Sequence, residues 1–301
     1  MNHFGLFIKL MLKGLPTKVL SVLEYWFSIC FTCVKWMGVF SNFFHVTCGN
    51  RRGGVLSPYL FGVFIDSVIS KVQESRIGCH LGLLCYSIIL FADDMLLLSP
   101  SVTGLQNLSY ICEKELEFLD LSVNAKKSFC LRIGSRHRFE CANICTSAGD
   151  KISWVSELRY LGAFIKSAMH FKCSFGNAKQ SFFRSFNAVY GKIGGFAKDE
   201  LLIQLIKSKC LPSLLYGTEA LPLSKADISS LEFSFNRILF KMFKTSSIDI
   251  IHDICFYFSL SSVENLIIRK KFRFLNKMLN SNNILCALCK DMVMLDFKLI
   301  L

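Results

Sequence analysis

The chain has 301 residues, 52% of them hydrophobic, and sets 35 Lys and Arg against 22 Asp and Glu for a formal charge of +13. That length accommodates two ordinary domains, or one with a substantial appendage; the basic excess favours polyanionic partners such as nucleic acid or acidic lipid. A mean hydropathy of +0.43 raises a membrane reading, but a spanning helix needs about 20 mostly apolar residues, and the best window, "IGCHLGLLCYSIILF", contains His80 and runs into Asp93 and Asp94.

The opening "MNHFGLFIKLMLKGLP" is broken by Lys9 and Lys13 and has no small-residue cleavage site, so it is not read as a signal peptide. Fourteen cysteines lie scattered through apolar segments, which favours reduced, buried thiols and an intracellular chain, nuclear or cytoplasmic, over a disulfide scaffold. Cys30-x-x-Cys33, Cys141-x3-Cys145 and Cys286-x-x-Cys289 have ligand-like spacing, but none has a second pair to close a four-ligand zinc site. Cys286 and Cys289 are the strongest exception.

In chain order, "LFIKLMLKGLPTKVLSVLEYWF" predicts two helices interrupted at Gly14 to Pro16. "KWMGVFSNFFHVTCG" predicts a hairpin turning at Gly38. Ser57 as N-cap and Pro58 at the first helical position open a helix ending near Glu74, with Leu60, Phe61, Phe64, Ile65, Val68 and Ile69 on its apolar side. "YSIIL" and "MLLLS" predict a largely buried hairpin with a polar corner at Asp93 and Asp94. "TGLQNLSYICEKELEFLDL" is helical, and "FCLRI" and "LGAFI" are strand-like. Near residue 166 the texture changes to almost continuous helix. "DELLIQLIKSKCLP" is expected to stop at Pro212, "ADISSLEFSFNRILFKMFK" follows a 3–4 spacing, and "SSVENLIIRKKFRFLNKML" opens with a capping-box pattern at Ser261 and Glu264. The last of these carries Arg269, Lys270, Lys271, Arg273 and Lys277 among Phe272, Phe274 and Leu275, either a solvated face or a track for a phosphate backbone.

Adjacent Asp residues at a strand corner have two readings. Asp is a good turn former, and two carboxylates on a rigid tip are also a mount for Mg²⁺, a hard cation held by one or two carboxylates plus substrate phosphates.

"FADD" flanked by aliphatics, some way after "RRGGVLSPYLFGVFID", resembles the polymerase palm of reverse transcriptases, most closely those of non-LTR (LINE-type) retrotransposons. In that family an Arg-Gln-Gly segment and Leu-Ser-Pro precede an aromatic-Ala-Asp-Asp hairpin. Here the first segment reads Arg51-Arg52-Gly53-Gly54-Val55-Leu56-Ser57-Pro58, with Arg52 where Gln is usual. The likeness continues through "LSVNAKKS", "LRYLGAFI" and "GKIGGFAKDELLIQLIKSKCLPSLLYGTEALPL".

The resemblance implies an α+β fold: a palm of antiparallel strands backed by helices over 1–165, then a mainly helical thumb-like region over 166–301. It implies an RNA-directed DNA polymerase acting on an RNA template, a DNA primer and deoxynucleotides, with Mg²⁺, or Mn²⁺ in its place, held by Asp93 and Asp94. Lys127 would protonate the departing pyrophosphate. Arg51, Arg52, Gly53, Gly54, Ser57, Pro58, Phe91, Ala92 and Asn124 would contact template or nucleotide, and Leu158, Arg159, Tyr160, Leu161 and Gly162 would form the primer grip. The family adds a third Asp in a pattern like Phe-Asp-x-x-Asn-His. Since the chain begins Met1-Asn2-His3, that aspartate would fall just before it, to be supplied by an in-frame upstream segment; Asp66, Glu24 and Glu74 lie in helical or loop contexts and do not replace it. The expectation is therefore a partial palm with polymerase activity absent or weak by itself, set against an alternative of a basic nucleic-acid-binding remnant with no chemistry.

Overall fold

Asn2 caps the first helix, its side chain accepting hydrogen bonds from the backbone N–H groups of Phe4 and Gly5. Helix α1 (His3–Leu12) runs to the expected break, and α2 (Thr17–Ser28) follows Pro16. The structure, a computed structural model, describes residues 1–49, 53–81, 84–283, 286–287 and 289–298. It divides into two compact units, Met1–Cys130 with Glu140–Trp154, and Leu131–Phe139 with Val155–Leu301.

In the first unit, α2 leads into a double ribbon: β1 (Phe31–Thr32) pairs with β4 (Phe44–His45), and β2 (Lys35–Trp36) with β3 (Val39–Phe40), all antiparallel. The turn between β2 and β3 is Met37-Gly38 with φ of 46° and 86°. Two left-handed residues in a two-residue loop match the twist of the flanking strands, so the expected turn at Gly38 is present. Helix α3 (Ser57–Ser75) has Pro58 in its first turn and ends at a left-handed Arg76; its N-cap is Leu56, and Ser57 is already the first helical residue. Two short hairpins follow, β5 (His80–Leu81) with β6 (Leu84–Cys85), and β7 (Ile88–Phe91) with β8 (Asp94–Leu97). After α4 (Val102–Phe118) come β9 (Phe129–Cys130), β10 (Ile144–Cys145) and β11 (Lys151–Trp154). Here the antiparallel expectation is only partly met: β11 runs antiparallel to β10 and parallel to β9.

The core of this unit is Leu6 and Leu10 of α1, Leu60, Phe64, Val68 and Val72 of α3, and Leu108, Cys112 and Leu116 of α4. These fall at helical spacing in the sequence, so each helix buries one stripe. Lys9 reaches across from α1 to donate to the Phe64 carbonyl and the Ser67 hydroxyl, both at 2.6 Å, and burial lowers its pKa. Gln106 on α4 pairs both its amide groups with the Cys145 backbone, at 2.7 and 2.9 Å. Glu113 accepts from the Ser147 N–H at 2.6 Å. Polar side chains on α4 thus hold the β10 region to it.

The second unit opens with β12 (Glu157–Tyr160), β13 (Ala163–Lys166) and β14 (Lys172–Ser174), an antiparallel sheet in that order. The change of texture at residue 166 and the division between units are therefore different features. Strands β12 and β13 precede the helical run yet belong to the unit that contains it. The helices are α5 (Gly176–Ile193), α6 (Asp199–Leu205), α7 (Leu211–Leu214), α8 (Lys225–Phe243), α9 (Ile248–Tyr257), α10 (Val263–Leu279) and α11 (Lys290–Lys298). Their core gathers Phe182 and Phe186 of α5 with Leu231, Phe235, Ile238 and Leu239 of α8.

Two sequence expectations are corrected here. Pro212 does not stop its helix: α6 passes into a π-helical turn, Ile206–Cys210, and on into α7, with Pro212 in its first turn. Within a regular helix, proline removes an N–H and crowds the carbonyl four residues back, and a widened turn before it relieves both. The capping box is not at Ser261 and Glu264. Ser262 caps α10 by accepting from the Asn265 N–H. The reciprocal box belongs to α8, where Ser224 and Asp227 exchange backbone-to-side-chain bonds at 3.0 and 3.2 Å.

No disulfide links any of the fourteen cysteines, all of which lie among the described residues. Burial pushes Cys112 up to about 12 and Cys130 up to about 11, from an ordinary value of 9.0. Between pH 9 and those values the folded chain keeps protons that the unfolded chain releases. Their contribution to stability is whole below pH 9 and declines as pH rises through that window. Because thiolate is the nucleophile, iodoacetamide at about pH 8 is expected to spare Cys112 and Cys130 in the folded protein, modify exposed Cys48, and reach all three in concentrated urea; peptide mass mapping reads the difference.

A second outcome concerns the base of the β7–β8 hairpin. Gly78 has φ of 97°, and a Cβ there would lie 2.8 Å from the Leu98 carbonyl and closer still to Ser87. Gly78→Ala is expected to cost roughly 2 kcal/mol or more, combining a left-handed alanine with a close contact, and urea unfolding of the first unit measures it.

Candidate active site

The hairpin formed by β7 and β8 pairs Ile88 with Leu97, Ile89 with Leu96, Leu90 with Met95 and Phe91 with Asp94. Side chains alternate along a strand, so Ile88, Leu90, Met95 and Leu97 share one face, and all four pack on the first unit's core. Asp94 and Phe91 share the opposite face, and Asp93 sits in the turn; all three are exposed. The turn has only two residues, Ala92 and Asp93, with Ala92 left-handed at φ 53°. A non-glycine residue pays about 1 kcal/mol or more for that conformation, and a methyl is the smallest side chain that can occupy it.

The base of the hairpin is held by Ser87, which is fully buried and whose hydroxyl donates to the Ile77 carbonyl at 2.7 Å. The Leu98 N–H donates to the Ser87 carbonyl at 2.8 Å, extending the ladder one pair below the strands. Nothing in the sequence singled out Ser87 except its position as a polar residue inside the run "YSIIL".

Among the described residues, neither Asp93 nor Asp94 takes part in an ion pair or a hydrogen bond from another side chain. Two neighbouring carboxylates with no cation repel each other, and a divalent ion with hard oxygen ligands relieves that repulsion. Among the described residues no group of three His, Cys, Asp or Glu side chains comes together, so Asp93 and Asp94 stand as a pair. Asp66 is engaged with Lys13, while Glu24 lies in α2 and Glu74 in α3.

Asn124 and Lys127 share one tight turn. The Asn124 carbonyl accepts from the N–H groups of Lys127 and Ser128, both at 3.0 Å, and its side-chain oxygen accepts from the Lys127 N–H at 3.2 Å. Asn124 therefore shapes the backbone from which the exposed Lys127 projects. Gly53 is left-handed at φ 78°, and the Gly54 carbonyl receives the Ser57 N–H at 3.2 Å, leading into Pro58 and α3. Gly54 and Ser57 line a mainly apolar pocket with His3, Phe27 and Cys30. Arg51 and Arg52 lie outside the described residues.

Leu158, Arg159, Tyr160, Leu161 and Gly162 lie in the second unit, on β12 and its turn. Leu161 and Gly162 are both left-handed, at φ 47° and 85°, which suits a two-residue hairpin. The Tyr216 hydroxyl donates to the Leu161 carbonyl at 2.8 Å, and Tyr216 comes so close to Gly162 that a Cβ there would lie 2.9 Å from its ring. Tyr216 falls in the quoted segment ending "YGTEALPL", but nothing in the sequence singled it out as a partner of this turn. The basic cluster on α10 is largely committed to structure. Lys270 donates to the Leu215 carbonyl at 2.6 Å and forms an ion pair with Glu219 at 3.0 Å, Lys271 pairs with Asp296, and Arg269 donates to the Ser261 hydroxyl. Arg273 and Lys277 are exposed.

Comparison with known proteins bears on this arrangement. Residues 8–165 match the family described as reverse transcriptase (RNA-dependent DNA polymerase). Two relatives are each 25% identical. One is a retrovirus-related Pol polyprotein from the type-2 retrotransposable element R2DM of Drosophila melanogaster, aligned over 184 residues, 58% of this chain and 17% of the relative. The other is a retrovirus-related Pol polyprotein from the type-1 retrotransposable element R2 of Popillia japonica, aligned over 181 residues, 57% of this chain and 24% of the relative. The chain thus spans less than a quarter of either relative. The chain belongs to the reverse transcriptase family, on the non-LTR retrotransposon side that its motifs resemble. The matched region includes the Asp93–Asp94 hairpin, Lys127 and the turn at Leu161.

If Asn124 acts by shaping its turn, Asn124→Ala is expected to lower the stability of the first unit by about 1 kcal/mol. Asn124→Asp, which keeps the acceptor, recovers most of that loss. Urea midpoints of the two variants provide the comparison.

Proposed function

We propose that this chain provides palm over 1–165 and a thumb-like helical region over 166–301 of a non-LTR reverse transcriptase, with Asp93 and Asp94 among the carboxylates that serve DNA synthesis on an RNA template. The observation that supports it most is the Asp93–Asp94 tip: two solvent-facing acids that pair with no cation among the described residues, on a hairpin whose other face is packed, inside the family-matched region.

The family works with divalent metal ions, and Asp93 and Asp94 supply the hard oxygen donors that suit Mg²⁺, or Mn²⁺ in its place. When bound, such ions lower the cost of ionising a primer 3′-hydroxyl and of charge on the leaving oxygen. Lys127, exposed on its turn, is the proton donor to the pyrophosphate. The Leu158–Gly162 hairpin steadies the primer strand, its tip latched by Tyr216. Gly53, Gly54, Ser57, Pro58, Phe91, Ala92 and Asn124, with Arg51 and Arg52, form or support the contacts to template and nucleotide. The basic excess of the chain supplies a sequence-independent attraction to the backbone.

Assayed by itself, the 301-residue chain is expected to bind an RNA template–DNA primer duplex with an affinity that falls steeply as salt rises, and to extend the primer weakly or not at all with Mg²⁺ or Mn²⁺. Among the described residues no third acid joins the pair, and two carboxylates alone hold two ions poorly. Templated synthesis that disappears in Asp93→Ala would show that the pair suffices and overturn the inactivity. Failure to bind the duplex at low salt would overturn the reverse transcriptase reading itself.

A further inference from the structure

The ribbon between α2 and α3 has a composition unlike the rest of the molecule. Trp36, Phe40, Phe43 and Phe44 are 74%, 60%, 74% and 50% exposed, and every residue of its four strands faces solvent. None of these four aromatics belongs to the first unit's hydrophobic core. The fold holds them out mainly by backbone pairing, through β1–β4 and β2–β3, and buries none of their rings. A soluble protein seldom leaves that much apolar surface uncovered unless something binds it.

Charge narrows the choice of occupant. From Tyr25 to Ile65 the sequence has no Asp or Glu, while Lys35, Arg51 and Arg52 fall within it. On the ribbon, the Lys35 ammonium stands 5.1 Å from the centre of the Phe40 ring, and His45 packs on Phe31 with ring centres 5.3 Å apart. Exposed flat rings beside one cation, Lys35, and with no carboxylate among them suit single-stranded nucleic acid. Each base offers a π face for stacking whatever its identity, and the backbone supplies the negative charge.

Resting on the nucleic-acid reading above, we propose that the ribbon over residues 31–45 is a stacking platform for single-stranded RNA or DNA, with Trp36 and Phe40 as its principal contacts. It would hold an unpaired stretch of strand without regard to sequence, whereas the Asp93–Asp94 hairpin serves the paired primer end. Stacking is worth about 1–3 kcal/mol per base, so losing two rings should weaken binding by at least about tenfold.

The test uses the full chain with fluorescein-labelled oligo(dT) and oligo(rU), and with an RNA–DNA duplex, read by anisotropy at low salt. The double variant Trp36→Ala/Phe40→Ala should bind both single strands at least about tenfold more weakly and the duplex within about twofold of the parent. Trp36→Phe, which keeps a ring, should retain affinity within about threefold but lose most of the tryptophan quenching that the parent shows on binding. Unchanged single-strand affinity in the double variant overturns the proposal, as does a parent that binds duplex but no single strand. It is also overturned if the parent sediments as a dimer that the double variant dissociates while single-strand affinity stays the same, since the ribbon would then cover a second copy. A parent that binds neither nucleic acid refutes the functional reading along with this one.

Discussion

The chemistry of the first unit depends on the register of one antiparallel pair. Because side chains along a strand alternate with a period of two, the pairing of Leu90 with Met95 and of Phe91 with Asp94 decides which residues meet the core and which meet water. A slip of one residue would turn Asp94 inward and drive Met95 out. Three features hold the register: the packed face of Ile88, Leu90, Met95 and Leu97, the two-residue turn at Ala92, and the buried Ser87 hydroxyl fastening the base to Ile77. The acids are exposed because everything behind them is fixed.

Much of this was legible in the residues. The helices α3, α4 and α8 showed apolar spacing that survives as buried stripes, and Gly14, Gly38 and Pro58 punctuated the chain where the structure turns or begins a helix. The corner at Asp93 and Asp94 was visible because two polar residues interrupt an apolar run. What was hidden depends on contacts between residues far apart in sequence. Tyr216 latches a turn 55 residues away, and Gln106 binds a backbone 39 residues away; neither leaves a local pattern. Lys270 looked like part of a solvated charge run until its partners, Leu215 and Glu219, were seen. Ser262 rather than Ser261 caps α10 because one residue of phase, which composition cannot resolve, decides which hydroxyl faces the free N–H groups.

The two units rely on polar groups in the same way. In the first, Lys9, Gln106 and Glu113 each satisfy backbone groups that tertiary packing would otherwise strand. In the second, Lys270 does so at the Leu215 carbonyl, while the Tyr216 hydroxyl braces an exposed turn. An unpaired buried carbonyl or N–H costs about 1–3 kcal/mol, so these side chains matter more for the partner they complete than for their own charge. The count of basic residues therefore overstates the surface free to meet a polyanion. Lys35 on the ribbon, with Arg273 and Lys277 on α10, remains outside that internal use.

The π turn ahead of Pro212 has an evolutionary consequence. A π turn amounts to one surplus residue within an otherwise regular helix, and here it sits where the proline ring would otherwise press on the preceding turn. Deleting one residue from Ile206–Cys210 would rotate Leu211 and Leu214 by about 100° away from the core they now join, and would restore the clash. Replacing Pro212 alone would leave the surplus without its cause. The insertion and the proline are thus expected to persist or vanish together in related chains, a coupled pair of changes written into a segment that, read locally, looks like a plain helix with a stop.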